Sequence, residues 1–169
     1  MRPLRATIGA IALLVAACPA PASARDADAL THSKRLWATI NVCDTVGHPD
    51  SVGIRGSMPG TGDKTQVMYM RFQVQYFVPA DAQWQNLADA DSGFVAVGSA
   101  ARTRQWGYTF TITPPRARAA PYLLRGVVTF EWRDGSDVVH RARKRTAAGH
   151  PNTAGSDPAG SSAATCSIT

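Results

Sequence analysis

The stretch Met68-Tyr69-Met70-Arg71-Phe72-Gln73-Val74-Gln75-Tyr76-Phe77-Val78 decides the fold. Met68, Met70, Phe72, Val74, Tyr76 and Val78 alternate with Tyr69, Arg71, Gln73, Gln75 and Phe77. A period of two over eleven residues is the pattern of a β-strand with one face buried. Pro79 ends it, because proline has no backbone N–H to give to a ladder.

Other strand-like runs flank this one. Toward the N-terminus, residues 36–43 are rich in β-formers and stop at Asp44, residues 52–55 make a weak short strand, and residues 57–63 carry the Pro and Gly chemistry of a turn. Toward the C-terminus, residues 94–97 form a short strand. Trp106, Tyr108, Phe110 and Ile112 then alternate with small or polar residues up to Pro114-Pro115. Tyr122, Leu124, Val128, Phe130 and Trp132 alternate in the same way, residues 138–146 complete a hairpin, and residues 164–168 make a last strand. The one helix candidate, residues 80–90, has weak periodicity. About seven to eight strands with turns between them predict an all-β domain over residues 36–169, a single immunoglobulin-like antiparallel β-sandwich, with a small β-barrel as the alternative. The antibody-type Cys, Trp, Cys arrangement is absent. Residues 147–165 hold no long apolar side chain and read as a long loop, functional or loosely held.

The chain has 169 residues, of which 44% are hydrophobic and only 18% charged, so a packed core is expected and wholesale disorder is not. This length excludes a large multidomain enzyme. No run reaches the 18 or so apolar residues of a membrane-spanning helix, which excludes a polytopic helical membrane protein. Residues 1–24 read as a signal peptide: Arg2 and Arg5, then the apolar run 8–17, then Ala22-Ser23-Ala24 as a small-x-small cleavage site. A second cut is open, because Val15-Ala16-Ala17-Cys18 resembles a lipobox in which Cys18 would be acylated. The expected product is therefore secreted, with lipid anchoring at the outer face of the cytoplasmic membrane as the alternative. Residues 25–35 read as a polar N-terminal tether. Removing the signal leaves two cysteines, Cys43 and Cys166, each in a strand-like run, and an oxidising compartment favours a bridge between them. Two buried free thiols are the alternative. A bridge would close a loop of more than 120 residues, which the chain-entropy account credits with roughly 5 kcal/mol at most.

Residues 36–45 (Leu-Trp-Ala-Thr-Ile-Asn-Val-Cys-Asp-Thr), 55–60 (Arg-Gly-Ser-Met-Pro-Gly), the strand 68–72 and residues 91–94 (Asp-Ser-Gly-Phe) together resemble a group of small secreted actinobacterial proteins of unassigned function. The resemblance implies export, a cysteine pair and a β-rich domain. It implies no activity and no functional residues.

No catalytic residue emerges. Asp91-Ser92-Gly93 faintly echoes a serine-protease motif, but Phe94 stands where a second Gly belongs, and the tripeptide is an ordinary turn. Glu131, the lone Glu, should point away from the apolar face beside Arg133 as a solvated charge partner rather than as one of a glycosidase pair. His32, His48, His140 and His150 are scattered singly, and no metal or cofactor is expected.

Charge is more informative. Residues 102–145 hold ten basic residues and three acids, peaking at Arg141-Ala142-Arg143-Lys144-Arg145. Arg141, Arg143 and Arg145, with Arg125, are the candidate anion-binding residues, facing an anionic envelope polymer or a surface protein. Nucleic acid is not expected, since no aromatic platform interleaves these arginines. The competing reading is that charge on an exposed strand prevents edge-to-edge pairing.

Hairpin parity makes a sharper forecast. A simple Asp134-Gly135 turn would aim Arg141, Arg143 and Arg145 at the core, where each unpaired charge costs several kcal/mol. An odd turn or a bulge is therefore expected. An odd turn would set Trp132 opposite Val138, Phe130 opposite His140 and Val128 opposite Ala142, and the three arginines would face solvent. The sequence thus reads as an exported non-enzymatic binding module, with a small extracellular hydrolase or a purely structural surface domain as alternatives.

Overall fold

The computed structural model describes residues 28–117, 119–150 and 153–169; the signal segment 1–24 and Cys18 lie outside them. Among the described residues eight strands form two antiparallel sheets packed face to face, a β-sandwich. The smaller sheet has the order β1 (Trp37–Thr45), β2 (His48–Met58), β5 (Arg104–Thr111). The larger runs β4 (Gln83–Ser99), β3 (Val67–Val78), β6 (Tyr122–Asp134), β7 (Asp137–Arg145). A short β8 (Cys166–Ile168) pairs with the start of β6, continuing the edge that β7 makes further along. The sheets do not close into a barrel.

The alternating stretch is β3, the centre of the larger sheet. Met68, Met70, Phe72 and Val74 are fully buried, while Tyr69, Arg71 and Gln73 reach the outer face. Ile54 and Val52 of β2 and Phe130, Trp132 and Val128 of β6 complete the core. Trp132 keeps its indole N–H satisfied by donating to the Pro59 carbonyl at 2.9 Å. Gly56 and Gly126 sit on the inner faces where the sheets come closest. A Cβ at Gly56 would lie 3.2 Å from Met70 and Phe130, and one at Gly126 would lie 2.8 Å from Ile54.

β2 spans eleven residues rather than the four expected, and β4 spans seventeen, absorbing residues 83–90 of the helix candidate, whose residues 80–82 make a turn. Tertiary pairing overrides weak local propensity in both. The tether is not wholly free: residues 28–31 make one helical turn, Leu30 is buried in the core, and Lys144 donates to the Thr31 carbonyl at 3.1 Å.

Cys43 and Cys166 form a disulfide that joins β1 of one sheet to β8 of the other. The described part of the long loop lies along the free edge of β1 instead of standing off. Ile40 and Ala163 exchange both backbone hydrogen bonds at 2.9 Å, Asp157 N–H donates to the Asn41 carbonyl, and the Asn41 side chain donates to the Gly155 carbonyl at 2.7 Å. Trp37 stacks on His150 at 4.7 Å between ring centroids. An edge that would otherwise offer unpaired backbone groups is thereby covered.

Candidate anion-binding face

The outer face of the larger sheet collects the charged residues. The hairpin of β6 and β7 closes through Gly135 and Ser136, with Asp134 opposite Asp137, and a bulge between Trp132 and Arg133 takes up one extra residue of β7. That bulge restores the parity the charges demand. Arg141 lies opposite Glu131, Arg143 opposite Thr129 and Arg145 opposite Val127, all three exposed. The register differs by two from the odd-turn forecast: Trp132 faces His140, Phe130 faces Ala142 and Val128 faces Lys144. The side-chain faces are unchanged because the shift is even.

At the hairpin end of this face the charges are paired. Glu131 is not the solvated carboxylate expected from sequence; it is fully buried under its partners. Arg133 donates to one carboxylate oxygen (Nε at 2.8 Å, Nη2 at 2.5 Å) and Arg141 to the other (Nε at 2.7 Å). The Arg133 guanidinium also lies 4.2 Å from the Tyr69 ring and 4.8 Å from the Phe94 ring, so the triad has an aromatic roof. Arg71 pairs with Asp91 through Nε at 2.8 Å and through Nη2. Hydrogen bonding from Arg71 above all holds the Asp91 carboxyl below the usual carboxylate range, helped by the Gly93 N–H.

Toward the opposite end the pattern changes. Arg125, Arg143 and Arg145 border one cleft of about 410 Å³ together with Gln75, Val127 and Lys144. Among the described residues no carboxylate pairs with any of these three arginines. Arg125 is fixed from two sides: its Nε donates to Gln75 Oε1 at 2.8 Å, and its guanidinium lies 4.2 Å over the Trp84 ring. Gln75 is anchored in turn by donating to Asn86 Oδ1 at 2.8 Å. Partial burial lowers the Arg125 pKa, and the positive charges of Arg145 and Arg143 lower it further. Three arginines thus border one cleft, near enough for Arg145 and Arg143 to act on Arg125, and guanidinium groups suit bidentate contacts to an anion.

The structure brings together three of the four candidate arginines and diverts the fourth, Arg141, to Glu131. Sequence reading missed Gln75, Trp84 and Lys144. Gln75 was legible as an outward position of β3, whereas Trp84 was hidden in the helix candidate. Ser92 serves the backbone: its Oγ accepts from Phe72 N–H at 2.9 Å and donates to the Gly93 carbonyl at 2.7 Å. His150 is held against Trp37, and burial pushes its pKa down. Arg104, although in the basic block of the sequence, belongs to the smaller sheet.

No family model matches the chain, and no curated protein does. Among solved structures it is loosely similar to the sporulation control protein Spo0M of Bacillus subtilis, at 11% identity and TM-score 0.30, over 64% of this chain and 47% of that one. It is similar at the same level to the alkylpurine DNA glycosylase AlkC of Pseudomonas fluorescens, at 13% identity and TM-score 0.32, over 66% of this chain and 29% of that one. Likenesses this loose carry nothing about function.

Proposed function

We propose that the protein is an exported, non-enzymatic binding module that holds an anionic polymer of the cell envelope against the outer face of its larger sheet. The observation that carries this reading is the cleft of Arg125, Arg143 and Arg145, three cations gathered without a carboxylate among the described residues. Gathering like charges is unfavourable by itself, and a polyanion converts that repulsion into attraction. The disulfide fits an oxidising compartment, and the N-terminal sequence supports export.

A second reading draws on the position of β7 at a sheet edge, where exposed arginines keep other chains from pairing. The two are separated by comparing wild type, Arg125→Gln/Arg143→Gln/Arg145→Gln and Arg141→Gln for retention on purified cell walls across a salt series. Binding predicts retention that falls with salt and is lost in the triple variant alone. Equal, salt-insensitive retention of all three proteins would leave the arginines as edge protection.

A further inference from the structure

A second concave site lies where the sandwich opens at one end, between the last residues of β3 and β5 and the first of β6. Its volume is about 620 Å³, within the ~300–1,000 Å³ usual for small-ligand sites. The wall comes from an irregularity of β4. Gln73 pairs with Asp91 and Gln75 with Asn86, so residues 87–90 stand opposite the single residue Val74. A bulge of this size gives up ladder hydrogen bonds, and such bulges re-aim side chains beside functional sites. Here it turns Leu87 and Asp89 toward the cleft, while Ala90 stays buried as its anchor.

The lining is mixed in a particular way. Leu124 and Ile112, both buried, supply apolar surface, and Tyr76 and Tyr122 supply two aromatic rings. Tyr76 is fixed by donating its hydroxyl to Gln85 Oε1 at 2.9 Å. Asn86, Thr111 and Thr113 add uncharged donors and acceptors, and Asp89 is the one charged residue among the described residues that line the cleft. The carboxylate disfavours an anion, which sets this site apart from the arginine cleft. Rings beside one acceptor-only carboxylate and several hydroxyls suit a ligand with an apolar ring face and a rim of hydroxyl groups.

We propose that this cleft binds one neutral sugar ring, its C–H face on the Tyr122 and Tyr76 side and its hydroxyls on Asp89, Asn86 and the threonines. The inference does not depend on the arginine cleft; the two sites share only Asn86, whose Oδ1 accepts from Gln75. The test titrates ¹⁵N-labelled protein with glucose, galactose, mannose and N-acetylglucosamine in turn, with tetramethylammonium chloride and inorganic phosphate as controls. At least one sugar should shift the amides of residues 87–90, 111–113 and 122–124 saturably. Asp89→Asn and Tyr122→Ala should each weaken that response about tenfold, the scale of one lost charge-assisted hydrogen bond or one lost aromatic contact. Tyr122→Phe should retain most of it. Asp89 and Tyr122 are both exposed, and unchanged melting temperatures will show that the variants fold. The triple arginine variant should respond to the sugar as wild type does, so the two sites fail separately. No saturable shift with any of the four sugars would overturn the proposal. So would a response that Tyr122→Ala leaves intact, or one seen only with tetramethylammonium or phosphate.

Discussion

The two ends of the larger sheet's outer face are built from the same strands and the same residue type, yet they treat arginine in opposite ways. At the hairpin end, Arg133 and Arg141 cover a buried Glu131, and midway along the face Arg71 holds Asp91. Toward the other end, Arg125, Arg143 and Arg145 border one cleft with Val127, and among the described residues no carboxylate pairs with them. Arginine is part of the fold in the first place and a charge held ready in the second. The division follows from where two acids fall in the sequence. Glu131 lies opposite both Tyr69 and Arg141, and Asp91 lies opposite Gln73, one step along β3 from Val74.

Removing an acid should therefore damage the molecule more than removing a cation. Glu131→Gln replaces a buried carboxylate that accepts from both Arg133 and Arg141 with a neutral amide, and losing such charge-assisted hydrogen bonds costs about 1.5–3 kcal/mol. For a domain of this size the melting temperature should fall by roughly 5 °C or more; a fall of only a degree or two would erase the contrast between the two ends. The next largest effect is on binding. The triple variant Arg125→Gln/Arg143→Gln/Arg145→Gln should lose tenfold or more of its cell-wall retention at low salt, about 1.4 kcal/mol. Its melting temperature should fall by no more than about 5 °C, because relief of like-charge repulsion offsets part of what Arg125 loses at Gln75 and Trp84. A large loss of stability would show that these arginines are structural after all.

Acid should act on the paired arginines alone. The Asp91 carboxyl is depressed in the folded state, so its contribution is complete above the unfolded value near ~4 and is lost as the pH falls below it. Asp91→Asn should flatten the stability profile below about pH 4, measured by chemical denaturation at each pH; an unchanged slope would remove Asp91 from the account. The smallest effect belongs to Arg141→Gln. Arg141 is 64% exposed, and the remaining Arg133 still covers Glu131, so a loss near 1 kcal/mol is expected with retention on cell walls unchanged.

Much of this fold was legible because burial writes itself as alternation. β3, β6 and the two cysteines could be placed from the residues alone, and charge parity fixed the face of β7 before its register. Two strands were harder. β2 hides its inner row because Gly56 stands where a side chain would strike Met70 and Phe130. β4 loses its period at residues 87–90, where the bulge breaks the count. Glu131 was placed on the correct face but given the wrong environment. An outward position is normally wet, and only the convergence of Arg133, Arg141 and Tyr69 from three strands dries it. The meeting of Arg125 with Arg143 and Arg145 is likewise a property of sheet order, which no single strand carries.

The bridge between Cys43 and Cys166 has a consequence for what a protease can do to this protein. Strands β2 to β7 all lie between the two cysteines. One cleavage anywhere in that span, including the exposed turn at Gly135-Ser136, opens the covalent ring without releasing a piece from it. The nicked molecule still migrates as one chain until it is reduced, and its strands can stay paired as before. Two cuts within that span are needed before any of it can be shed.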